Sequence, residues 1–178
     1  MKTLTVLVVG VLCWESFGVS HVKETQTMKS KTLQVATRPT ARARRLIKEF
    51  EGLRTRSYRD AHNHWALGYG ETGEHITEGL TITAHEADVW LDNRIYQIAG
   101  DIRKAVTVPL TQGQFDALVC LVYNVGITAF RHSTMLKLIN QERFYEAATE
   151  LLKWDHCQGK ELDGLSHRRR SEYRLFNE

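Results

Sequence analysis

Residues 50–73 read FEGLRTRSYRDAHNHWALGYGETG, and the reading of this stretch decides the fold. Tyr58, Trp65, Leu67 and Tyr69 fall between Gly and Asn turn signals, the pattern of a small antiparallel hairpin or meander. Immediately upstream, Pro39 and Thr40 punctuate the chain before ARARRLIKEFEG, in which Leu46, Ile47 and Phe50 share one face of a short helix. Glu51 closes that helix, and Gly52 fits the C′ position, where a left-handed residue ends the hydrogen-bond ladder. Asp60 then sits on the hairpin, so a chain that folds back on itself brings two carboxylates to one boundary.

Downstream of this β region the sequence reads as helix throughout. Thr83-Ala-His-Glu86 is a capping-box pattern, followed by Ala87, Leu91, Ile95, Ile98 and Ile102 at spacings of three and four, which predicts one long amphipathic helix. Thr111-Gln-Gly-Gln114 is a second capping box just after Pro109. Behind it Phe115, Leu118, Val119, Leu121, Val122 and Val125 leave little polar face, so this helix is expected at the centre of the core. Shorter helices are expected at 134–140, 142–154 and 165–176. The fold class is therefore α+β, mostly α, with a small antiparallel β lobe inserted after the first helix. A cleft between two such lobes suits an extended polymer.

The 178 residues fit one domain, and 42% hydrophobic with 25% charged residues is ordinary for a globular protein, which excludes a disordered chain and a multi-span membrane protein. A net charge of +3 favours approach to an anionic polymer or lipid surface without choosing among them. Cys13, Cys120 and Cys157 lie far apart with no CxxC pair, so neither a zinc framework nor a dense disulfide scaffold is indicated. Cys120 falls in an apolar helical run and reads as a buried small hydrophobe; a Cys120 to Cys157 bridge stays open.

The N-terminus is different in kind. Thr3 to Trp14 read TLTVLVVGVLCW behind Lys2, the charged and apolar order of an export signal. Glu15 interrupts the apolar run well short of the ~20 residues of a stable membrane span. Gly18 and Ser20 supply small residues for a cleavage after Ser20; the alternative is an uncleaved, weakly held signal-anchor. Three segments follow: 1–20 as signal peptide or signal-anchor, 21–39 as a flexible linker rich in Lys, Thr and Gln, and 40–178 as the folded, catalytic domain.

Glycoside hydrolysis needs one carboxylic acid to protonate the leaving oxygen and a second carboxylate to activate water or attack the sugar. Glu51 and Asp60 are suited to those roles, although 21 acidic residues make any such pair common by chance. The surrounding residues discriminate. FEG at 50–52, Tyr58, Asp60 and W-x-L-GYG at 65–70, then VPLTQGQFDALV at 108–119, YNVG at 123–126 and GL-x-x-RRR at 164–170, together resemble the bacteriophage-type lysozymes, the T4 lysozyme-like endolysins of the lambdoid branch. The resemblance runs over residues 40–178 and extends to a signal-anchor-release type of N-terminus.

The resemblance implies a two-lobed lysozyme-like fold and an endolysin that hydrolyses the β-1,4 bond between N-acetylmuramic acid and N-acetylglucosamine in peptidoglycan for host cell lysis, with no cofactor and no metal. It places the general acid on Glu51 and the partner carboxylate on Asp60. It places an amide near the cleft at Asn124, suited to a sugar or peptide group, and at Arg168 an arginine that pairs with the acid. The implied partners are peptidoglycan glycan strands, with transient membrane association through residues 3–20, no nucleic acid, and action as a monomer exported to the periplasm or envelope of a bacterial host. Two positions depart from the family: Ala66 stands where the family has a threonine, and Glu71 where a histidine follows GYG. The first supports an alternative, a catalytically impaired glycan-binding or lysis-modulating protein. His62-Asn-His64 spells HNH but reads as a polar turn rather than a nuclease site. The arginines at 42–45 and 168–170 lack the interleaved aromatics of a nucleic-acid surface.

Overall fold

A computed structural model describes residues 36–61, 63–157, 160–161 and 163–178. The export segment, the larger part of the expected linker, and His62 therefore lie outside the described residues. Helix α1 (Ala41–Glu51) leads into β1 (Arg54–Arg59), β2 (Trp65–Gly68) and β3 (Glu71–Thr72), and then α2 (Ala84–Ala105) and α3 (Gln112–Val125). Beyond these lie α4 (Ile127–Arg131), α5 (Thr134–Asn140), α6 (Phe144–Leu152), the two-residue strands β4 (His156–Cys157) and β5 (Lys160–Glu161), and α7 (Asp163–Phe176). None of the described helices is long and apolar enough to cross a membrane.

Both capping boxes form as the sequence predicts. Thr83 and Glu86 exchange side-chain and backbone hydrogen bonds at the start of α2, and Thr111 and Gln114 do the same for α3. Every residue of α3 from Gly113 to Val122 is buried, so this helix is the axis of the core, with α1, α2 and α7 packed around it. Burying side chains such as Phe115, Leu118 and Leu121 contributes ~1.5–3 kcal/mol each. Gly113 is required there: a Cβ would lie 2.3 Å from the Leu175 carbonyl oxygen, so only glycine lets the end of α7 approach α3 this closely.

The sheet order is β1-β2-β3, antiparallel throughout, with Tyr58 opposite Ala66 and Ala66 opposite Thr72. The free edge of β1 is covered by the segment ahead of α2, through Ser57 N–H to Leu80 O at 2.9 Å and Ile82 N–H to Thr55 O at 3.0 Å. Thr40 caps α1 and also binds Asp116 of α3, its backbone N–H donating to Oδ1 at 2.9 Å and its hydroxyl to Oδ2. Within the stretch read as linker, Ala36 N–H donates to Leu110 O, and the Thr37 and Arg38 carbonyls accept from Arg103 and Gln112.

Three expectations need correction. The sheet is not the only β structure, since β4 and β5 form a short antiparallel pair. The helix expected over 142–154 spans only Phe144–Leu152, because Glu142 takes φ 59, outside the right-handed helical region, and Lys153 caps the other end. Helix α7 begins at Asp163, two residues before the apolar pattern starts.

Candidate active site

Glu51 is the last residue of α1, and Gly52, at φ 66, turns the chain out of the helix directly after it. Its carboxylate is divided between two environments. Oε1 accepts from Arg168 Nη1 at 2.6 Å, a charge-assisted bond to a nearly buried guanidinium. Oε2 faces the β2–β3 turn, where a Cβ on Gly70 would lie 3.6 Å from it. The Glu51 side chain is 21% exposed, so it is neither sealed in the core nor free on the surface. Phe50 helps hold Arg168: the guanidinium lies 5.4 Å from its ring centroid, and His167 packs edge-on against the same ring at 5.7 Å.

The helical body is tied to the sheet here. Tyr123 of α3 donates its hydroxyl to the Tyr69 carbonyl at 2.8 Å. Burial pushes the Tyr123 phenol well up from its ordinary value, with the charges of Glu51 and Glu71 adding to the effect, so it stays a protonated donor. Alongside it opens a groove of about 370 Å³ lined by Gly70, Glu71, Thr72, Arg94, Tyr123 and Asn124.

Asp60 occupies the β1–β2 turn. It accepts from the His64 backbone N–H at 2.8 Å through Oδ1, and the His64 imidazole lies 3.8 Å from Oδ2. Asn63 adopts φ 64 in this turn, a left-handed conformation that asparagine tolerates, which accounts for the polar composition behind the HNH spelling. Burial raises the Tyr58 phenol, and the charges of Glu51 and Asp60 add to this against the opposing charge of Arg54. Ala66, opposite Tyr58 in the register, is 1% exposed, so the methyl sits within the sheet's packing.

Behind Glu51 lies a buried ionic cluster that the sequence reading did not foresee. Arg168 also donates to Glu172 Oε1 at 3.1 Å and to the Cys120 carbonyl at 3.2 Å. Arg169 donates to the same Glu172 oxygen at 3.0 Å and to Asn124 Oδ1 at 3.0 Å. Burial works against the charge of Arg168, but Glu51 and Glu172 outweigh it and hold the guanidinium above its ordinary value. Arg169 is lowered by burial yet remains a cation at any ordinary pH. Burial raises Glu172 to about 7 in spite of both arginines. Cys120 is a free, buried thiol, also pushed up by burial.

Arg168 therefore touches Glu51 directly, Asn124 joins the same cluster through Arg169, and Asp60 lies in the β1–β2 turn. The basic run at 168–170 is not a solvated face, because Arg168 and Arg169 are both buried. The signal was present: Glu172 stands four residues after Arg168 and three after Arg169, the spacings at which helical side chains meet. The arginines at 42 and 44 are spent on ion pairs, Arg42 with Glu178 and Arg44 with Asp88 and Asp92.

A helical body carrying a small antiparallel sheet, with a glutamate at the end of the first helix facing that sheet, defines a lysozyme-like protein. The profile of the phage lysozyme family matches residues 48–172, and the chain belongs to that family. It is 40% identical over 134 residues to the endolysin of Bacillus phage PZA, a match covering 74% of this chain and 52% of that protein. It is 34% identical over 122 residues to the SAR-endolysin of Enterobacteria phage P21, covering 68% and 74%. Among solved structures it resembles the muramidase domain of SpmX from Asticaccaulis excentricus, with a TM-score of 0.71, 38% identity, and coverage of 77% of this chain and 95% of that one. The chain spans about half the length of the Bacillus phage relatives it matches.

Proposed function

We propose that this protein is an endolysin of the muramidase type, a glycoside hydrolase that cleaves the β-1,4 bond between N-acetylmuramic acid and N-acetylglucosamine in peptidoglycan. The observation that carries the reading is the divided carboxylate of Glu51: one oxygen held by Arg168 at 2.6 Å, the other turned toward Gly70 at the lobe boundary. Arg168 fixes the rotamer, which leaves Oε2 as the oxygen to carry the proton. That proton passes to the glycosidic oxygen as the C1–O bond breaks, and the sugar acquires oxocarbenium character. Asp60, oriented by the His64 backbone N–H, steadies that charge or accepts a proton from the water that adds to C1. Water contributes its hydroxyl to C1, and the proton it gives up balances the one delivered to the leaving oxygen. Asn124 lines the groove beside this point and offers its amide to a sugar or peptide group.

Residues 1–20 deliver the enzyme to the periplasm or envelope, as a cleaved signal or as an anchor released later, and the resemblance to a SAR-endolysin supports the second form. The protein acts as a monomer on glycan strands. Wild type and Glu51→Gln compared on a peptidoglycan gel test the reading. The Gln form keeps the shape and loses the proton, so clearing should fall by ~10²–10⁴-fold. A folded Gln protein that clears at the wild-type rate overturns it.

A further inference from the structure

We propose that Glu172 is a positioning residue whose single oxygen Oε1 sets both cleft-facing partners at once, the acid Glu51 through Arg168 and the amide of Asn124 through Arg169. This inference rests on the assignment of Glu51 as the acid.

The geometry is specific. Glu172 is 0% exposed, on the buried face of α7, and touches no groove itself. Its Oε1 takes hydrogen bonds from Arg168 Nε at 3.1 Å and from Arg169 Nη2 at 3.0 Å, while Oε2 has no hydrogen-bond partner among the described residues. Each arginine then reaches one further residue, Arg168 to Glu51 Oε1 at 2.6 Å and Arg169 to the groove-lining Asn124 Oδ1 at 3.0 Å. Two adjacent residues of one helix would otherwise splay their side chains about 100° apart. A shared acceptor brings both guanidiniums to one point, from which Arg168 Nη1 reaches Glu51 and Arg169 Nη2 reaches Asn124.

The arrangement is poor as a device for stability alone. Among the described residues Arg169 Nε and Nη1 have no partners, and the carboxylate uses one oxygen for two cations. A buried ion cluster of this kind is often matched or bettered by apolar packing. Its value lies in fixing angles: a misplacement of ~1 Å at a reacting group can lower a rate by ~100-fold. The charged and titratable groups around Glu172 are Arg168 and Arg169 on its own helix, Glu51 from α1 and the Cys120 thiol from α3.

The test separates the acceptor from its charge. Glu172→Gln keeps a carbonyl oxygen where Oε1 lies, whereas Glu172→Leu removes it. On solubilised peptidoglycan fragments, the Leu protein should lose ~100-fold in kcat through the freed Arg168. It should also gain ~5- to 10-fold in KM through the freed Asn124. Gln should restore both to near wild type, and Arg169→Leu should raise KM with less effect on kcat. Wild-type constants in the Leu protein, or a Gln protein as impaired as the Leu one, overturn the proposal. A second measurement covers a Leu protein that does not fold. In ¹⁵N-labelled wild type, the Arg168 Nε and Asn124 side-chain signals should share one inflection as Glu172 titrates, and separate inflections overturn the shared control. Glu51→Gln is measured beside them. Activity in that variant refutes the acid assignment, whereas an inactive Glu51→Gln with an unaffected Glu172→Leu refutes only the positioning role.

Discussion

Replacing Glu172 by Gln should make the protein more stable at alkaline pH. Burial lifts the Glu172 carboxyl from an ordinary 4.5 to about 7, so the folded state holds this proton more tightly than the unfolded chain does. Between those values the native protein binds more protons than the unfolded one, and stability falls as pH rises. The contribution is fully present below about 4.5 and is lost by the time pH has passed about 7. Each pH unit crossed is worth about 1.4 kcal/mol, so the wild type should lose roughly 3 kcal/mol across the window. Glutamine copies the shape of the protonated acid and cannot ionise, so its stability should lack this slope. Urea denaturation of both proteins at about pH 5 and about pH 8 reads the difference directly, because every other titrating group is common to the two. The curves should lie close together at the acid end and separate by roughly 3 kcal/mol at the alkaline end, with Gln the more stable. Parallel curves, or a Gln protein that is weaker at the alkaline end, would mean that the attraction of Arg168 and Arg169 outweighs the cost of burying the carboxylate. An ionised group kept at such a cost would show stability yielding to site geometry, a common trade in enzymes.

Three further perturbations follow from the structure. Gly70→Ala forces a side chain onto a residue at φ 86 and places its Cβ 3.6 Å from Glu51 Oε2; wall hydrolysis should drop sharply while circular dichroism stays native. Strain of that kind costs ~1–2 kcal/mol, so a larger stability loss would point to a folding defect instead. Gly113→Ala drives a Cβ to 2.3 Å from the Leu175 carbonyl, and the thermal midpoint should fall by an amount equivalent to ~1–3 kcal/mol of overpacking; an unchanged midpoint would show that the end of α7 moves freely. Replacing Val8 and Val9 by Asp adds ~2.5–3.5 kcal/mol per charge to membrane insertion, so cell fractionation should find the protein retained in the cytoplasm, and equal periplasmic amounts would remove the export assignment.

Much of the helical body was legible in advance because its signals are local. Thr83 with Glu86, and Thr111 with Gln114, announce α2 and α3 through side chains that accept from the otherwise unpaired backbone N–H groups at a helix start. Gly52 marks the end of α1 for a similar reason, since φ 66 is costly for other residues. Elements too short to show a period were missed, among them the five residues of α4 and the strand pair β4–β5. At the site, the residue types at 51 and 60 suggested their chemistry, whereas Arg169 and Glu172 offered only a helical spacing, which marks a possible ion pair and not its burial. A run of three arginines is ordinarily a solvated face, and only the packing of α7 against α3 shows that two of them turn inward.

The clamp between Thr40 and Asp116 has a mechanical consequence. Helix α1 is a rod of 11 residues, about 16 Å long, with Glu51 at its far end. Any tension applied to the chain ahead of Ala36 meets first the Ala36–Leu110 bond, next the bonds to the Thr37 and Arg38 carbonyls, and then the two hydrogen bonds that pin Thr40 to the core helix. Those bonds act as a strain relief, like the grommet where a cable enters a housing. Load would pass sideways into α3 instead of along the rod, so that the carboxylate at its tip would keep its aim if the chain upstream were pulled.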